Sequence, residues 1–167
     1  MYTTDDLIKI SPYMICHIIS LHSFHDIFIN HYLKDFGINK NQYYMLMHVF
    51  YNESSTQSDI ATACLMDRSG VSRAFGELEE KGILTREYTE ENKRAYKIDI
   101  TEKGKELGKF LHDKELEWEE EIAHELEMSR GELLTTLERL ALKALEFDRQ
   151  RIEIGRASCR ERVSRVV

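Results

Sequence analysis

TQSDIATACLMDRSGVSRAFGELEEKGILTREYTEENKRAYKIDITEKGKEL, residues 56–107, decides the fold. Thr56 is followed three residues on by Asp59, a variant of the capping box that predicts a short helix from Gln57 to Cys64. Leu65-Met66-Asp67 predicts a tight turn, with Asp67 capping a further helix that runs to about Lys81. Along that helix Val71, Phe75 and Leu78 recur at steps of four and three, which makes one buried stripe. Gly82 supplies the stop. The period then drops to two. Ile83 to Tyr88 and Ala95 to Ile100 alternate and are rich in β-branched and aromatic residues, so TEENKR between them joins a hairpin. The order is helix, tight turn, helix, hairpin: a helix-turn-helix with a two-stranded wing.

Outward from this centre the chain is helical. Ser11-Pro12 predicts a helix start, and Ile15, Ile18, Ile19, Phe24, Ile27, Phe28 and Leu33 keep helical spacing up to Gly37. A second helix begins at Asn39 and carries Tyr43, Leu46, Met47 and Phe50, followed by a polar connection from Asn52 to Ser55. On the other side Thr101 caps a long helix from Glu102 to about Glu125. Ser129 with Glu132 caps the last helix, which carries Leu133, Leu137, Leu140 and Leu145 and runs to about Arg151. The fold expected is mostly α with a small β-wing: a winged helix-turn-helix over residues 53–101, flanked by helices at 10–52 and 102–153, in one domain spanning 1–153. Much of the apolar surface of the flanking helices would face water in a single chain, so they are expected to form a homodimer.

Residues 154–167 read as foreign. EIGRASCRERV resembles a translated sequencing-adapter fragment, and its arginines interrupt the acidic pattern before it. This tail is set aside as non-native. The whole chain of 167 residues has a net charge of −7, and the tail's four arginines against one glutamate make the remainder more acidic still. The acidity is uneven. Residues 102–153 hold nine basic and fifteen acidic residues, whereas residues 56–101 hold seven and nine. An acidic total does not exclude a polyanion partner, because local placement of charge decides. No run reaches the roughly 18 apolar residues of a membrane span. The acidic start MYTTDDLIKI has no apolar signal core, which predicts a cytoplasmic chain. Cys16, Cys64 and Cys159 have no metal-site spacing and make an odd count, as fits a reducing compartment. No motif places a nucleophile with a base, a Gly-rich phosphate loop or a carboxylate pair, so neither an enzyme nor a bound cofactor is expected.

These motifs together resemble the MarR (multiple antibiotic resistance regulator) family. The resemblance rests on Leu78-Glu79-Glu80-Lys81-Gly82, on Arg86, and on Ile100-Thr101-Glu102-Lys103-Gly104 at the wing exit. In helix order and length it covers roughly residues 10–150. The family's wing commonly reads Asp-x-Arg where this chain has Asn92-Lys93-Arg94, and Asn cannot form the ion pair. The resemblance implies a dimeric, ligand-responsive repressor that binds a pseudo-palindromic double-stranded DNA operator. It also implies a small-molecule pocket between the dimer helices and the winged-helix lobe.

The residues support that reading on physical grounds. With Val71, Phe75 and Leu78 turned inward, Arg68, Ser69, Ser72 and Arg73 fall on or near the outer face of the first turns. Arg matches two acceptors on a guanine edge, and Ser serves a base or a phosphate. Lys93 and Arg94 are expected at the wing tip, where a basic ribbon reaches a minor groove. Glu90 and Glu91 beside them favour the plainer reading of a solvated turn. Arg86 either bonds phosphate or braces the wing. Thr56 and Gln57 either offer N–H groups to a phosphate or simply cap their helix. Cys16, His17, Tyr44 and His48 are ligand candidates, with core packing the stronger reading for each. His22, His25 and Asp26, with His112 and Asp113, have an unspecific metal-like spacing better read as solvated. Cys16 admits a redox reading, with an inert buried thiol preferred. Two other readings stay open: a winged-helix protein-interaction module, and a redox- or metal-sensing regulator of the same fold.

Overall fold

The computed structural model describes residues 13–52, 55–64, 66–89 and 92–164, with side chains at 13–52, 55–64, 66–86 and 97–148. The chain divides into two compact units, Met1–Glu115 and Leu116–Val167. The first holds α1 (Met14–Leu33), a 3₁₀ turn (Lys34–Phe36), α2 (Lys40–Tyr51), β1 (Ser55–Thr56), α3 (Gln57–Ala63), α4 (Arg68–Glu80), β2 (Leu84–Thr89) and β3 (Asn92–Ile100). It also holds the start of α5 (Glu102–Glu125). The second unit holds the end of α5 and α6 (Arg130–Ser164). The fold is mostly helical with a small antiparallel wing, as expected.

Local chemistry sets the helix ends. The expected start of α1 at Ser11-Pro12 lies outside the described residues, and Tyr13 precedes the helix without a side-chain cap bond. Gly37 takes a left-handed φ of 61° and donates its N–H to Lys34 O. Asn39 and Gln42 form a reciprocal capping box on α2, beyond the bare helix start expected at Asn39. Thr56 and Asp59 do the same for α3. Asp67 Oδ1 accepts from Gly70 N at 2.7 Å to start α4. Gly82, with φ of 64°, ends the α4 segment, and Ile83 N bonds back to Leu78 O at 2.9 Å. Ser129 and Glu132 cap α6.

The sheet has the order β1-β3-β2, with Arg86 opposite Ile98 and Ser55 opposite Ile98 on the other side. Three details differ from expectation. Ser55 belongs to a strand rather than a polar connection; two residues are too few for any period to show. β3 begins at Asn92, not Ala95, and pairs Asn92 with Thr89 across a register shift. The last helix also extends to Ser164 instead of stopping near Arg151. The added stretch has one glycine, no proline, and several arginines and glutamate that favour helix.

One core joins these elements. Ile29 and Leu33 of α1, Met45, Leu46 and Val49 of α2, and Ile60 of α3 meet Val71, Phe75 and Leu78 of α4, with Ile83, Leu84, Ile98 and Leu111. α5 approaches closely because it carries glycines. A Cβ on Gly104 would collide with Ile83 O and stand 2.7 Å from Ile100 Cγ1, and one on Gly108 would enter the Phe50 ring. No described helix is long and apolar enough to cross a membrane.

Candidate nucleic-acid interface

α4 has two faces. Val71, Ala74, Phe75 and Leu78 are buried, while Arg68, Ser69, Ser72 and Arg73 are all exposed. Neither Arg68 nor Arg73 joins an ion pair among the described residues. Ser69 is less free. Its hydroxyl donates to Asp67 Oδ1 at 2.6 Å, and together with Gly70 N–H it holds the Asp67 carboxyl below the usual carboxylate range.

The start of α3 is similarly committed. Thr56 N–H and hydroxyl both donate to Asp59 Oδ2, at 2.9 and 2.6 Å. The Thr56 hydroxyl also accepts from Asp59 N. These bonds hold the Asp59 carboxyl low. Gln57 Nε2 donates to Arg68 O at 3.1 Å and so stitches α3 to the first turn of α4.

Arg86 braces the wing. Its Nε donates to Glu79 Oε1 at 2.9 Å, its Nη2 reaches Glu79 Oε2, and its guanidinium lies 4.7 Å from the Phe75 ring centroid. This fork ties β2 to α4 and lowers the Glu79 carboxyl. Lys93 and Arg94 fall within β3 rather than at the tip itself; their side chains, and all of Glu90 and Glu91, lie outside the described residues.

A cavity of about 530 Å³ is lined by His22, Tyr44, Met47, His48, Tyr51 and Cys64, among others. Two of the four ligand candidates, Tyr44 and His48, therefore sit on its wall. Cys16 and His17 do not; Cys16 is half-buried and His17 exposed. The preferred reading of Cys16 as a buried thiol is corrected accordingly. Burial pushes the Tyr44 hydroxyl and the Cys64 thiol up. Nearby, Glu115 of α5 accepts from Tyr43 OH and bonds His25 Nε2 at 2.9 Å. His25 is thus engaged rather than solvated. Burial, then the bond to Glu115, pushes Tyr43 far up. Glu115 carries no local signal in the sequence, since its partners lie 72 and 90 residues away. Asp26 binds Lys40 Nζ at 2.6 Å, and His112 Nδ1 meets Tyr51 OH at 2.5 Å. Among the described residues no three His, Cys, Asp or Glu side chains are grouped to hold a metal.

A helix-turn-helix whose second helix shows a cationic face, backed by a β-wing and set between long helices, defines the winged-helix class. The family is narrower. Residues 36–95 match the model of the MarR family, so the chain is similar to that family across the centre of its helix-turn-helix and wing. It is 34% identical over 76 residues to the HTH-type transcriptional regulator Hpr of Halalkalibacterium halodurans, covering 46% of this chain and 40% of that one. It is 32% identical over 78 residues to the HTH-type transcriptional regulator YybA of Bacillus subtilis, covering 47% and 52%. The chain thus spans about half the length of the curated relatives it matches. A crystal structure of a MarR transcriptional regulator from Methanosarcina mazei Go1 superposes with a TM-score of 0.68 at 25% identity, over 78% of this chain and 95% of that one.

Proposed function

We propose that this chain is a sequence-specific, double-stranded DNA-binding transcription regulator: a cytoplasmic, ligand-responsive repressor, without catalytic activity, acting as a homodimer. The observation that carries the reading is the pair Arg68 and Arg73, exposed on the face of α4 that its buried stripe leaves outward. On a pseudo-palindromic operator, two such helices enter successive major grooves about 34 Å apart. Arg68, Ser72 and Arg73 read bases or hold phosphates, and Lys93 and Arg94 follow the adjacent backbone. Thr56, Gln57 and Ser69 hold the helix-turn-helix in shape, and Arg86 fixes the wing against α4. In this reading residues 53–101 are the binding lobe, 10–52 and 102–153 form the dimer, and 154–167 are non-native. The cavity at Tyr44 and His48 takes the effector, which acts by binding better to the form that does not fit both half-sites.

Footprinting on the DNA upstream of the gene locates the operator; anisotropy titrations then test the assignment. Arg73→Ala should lower operator affinity by one to two orders of magnitude, about 1–3 kcal/mol, and relax sequence preference. Lys93→Ala should weaken all sequences alike and reduce the salt slope by about one. Unchanged operator affinity in Arg73→Ala refutes the recognition-helix assignment. The acidic total of −7 favours a second reading, a protein-interaction module. Such a module would show no salt-dependent retention on DNA resin.

A further inference from the structure

A second cavity, of about 440 Å³, opens where the end of α4 and the start of β2 meet α5 and the 3₁₀ turn after α1. It shares no lining residue with the cavity at Tyr44. Buried Ile83 and Leu107 line it, beside Phe36 and Phe110, whose ring centroids are 5.4 Å apart. Both rings remain well exposed, at 42% and 37%.

Two cations also line this apolar space. Lys81 Nζ donates to Gly37 O, and Lys103 Nζ donates to Lys81 O at 2.7 Å. Among the described residues neither ammonium pairs with a carboxylate. Each has three N–H donors, so the carbonyl bonds leave spare donors on both. The one acidic side chain on the wall, Glu106, is exposed and leaves the lining net positive. A free inorganic anion would satisfy the lysines but leave the two phenylalanines in water. A neutral hydrocarbon would do the reverse. One molecule does both if it carries an apolar body and a single carboxylate.

We propose that this cavity binds a monocarboxylate with an apolar body of medium-chain fatty-acid size, its head on Lys81 and Lys103 and its tail against Phe36, Leu107 and Phe110. The volume lies within the usual range for small-molecule sites. The proposal does not depend on DNA binding.

Calorimetric titration of the full chain with decanoate tests it, with 1-decanol as the neutral probe of equal length. Decanoate should bind saturably, at one per chain, and at least about tenfold tighter than 1-decanol. Lys103→Gln combined with Lys81→Gln should weaken decanoate about tenfold or more. Lys103→Arg, which keeps the charge at an exposed position, should retain binding and so exclude a folding artefact. His48→Ala, on the other cavity, should leave decanoate affinity unchanged. Equal affinity for 1-decanol, undiminished affinity in the double lysine variant, loss of binding in His48→Ala, or no decanoate binding would each overturn the assignment.

Discussion

The winged-helix lobe and the outer helices treat apolar side chains in opposite ways. In the lobe, Val71, Phe75 and Leu78 are all but fully buried within one chain. On α1, Ile15, Ile19 and Ile27 are exposed; on α6, Leu142 and Leu145 are 58% and 52% exposed. A stripe of that kind is what a second surface would cover. The lobe is complete in one copy, whereas the outer helices need the proposed second copy.

This contrast orders the expected effects. Phe75→Ala should cost about 3–5 kcal/mol of lobe stability in urea unfolding, because it removes the largest buried side chain of α4. The loss should not depend on protein concentration. Gly104→Ala should cost about 3 kcal/mol in the same assay, since its methyl group meets a backbone carbonyl that has little room to move. Leu142→Ala with Leu145→Ala should behave differently. It should raise the dimer dissociation constant about tenfold or more in sedimentation equilibrium and remove the rise of Tm with protein concentration. Equal, concentration-independent losses from the lobe and from α6 would erase the contrast.

The smallest effect concerns the caps. Asp67→Ala should lower Tm slightly at pH 7, through the exposed start of α4. The folded state holds the Asp67 carboxyl below its ordinary value. Its contribution is therefore complete above the ordinary carboxylate pKa, about 4, and is lost as pH falls through the depressed one. The Tm gap between wild type and Asp67→Ala should close below about pH 4 and stay constant from pH 6 to 8.

What the sequence disclosed was local. The stripe of α4, the caps at Thr56, Asp67 and Ser129 and the stop at Gly82 are set by residues within a turn or two of one another. β1 escaped notice because two residues carry no period. Arg86 stood between two roles until Gly82 turned β2 back along α4 and brought Glu79 within reach. Tyr44 and His48 were separated from Cys16 and His17 only by which helix faces line the cavity, which a stripe as even as that of α1 does not reveal. Glu115, 72 residues from Tyr43, had no local signal at all.

Hydroxyl-radical footprinting of the upstream DNA at fixed salt tests the central claim most directly. Two protected half-sites on one face of the duplex, centred about ten base pairs apart and both lost in Arg68→Ala with Arg73→Ala, are the predicted result. A single half-site, or protection that persists in the double variant, would contradict a symmetric pair of α4 helices reading the grooves.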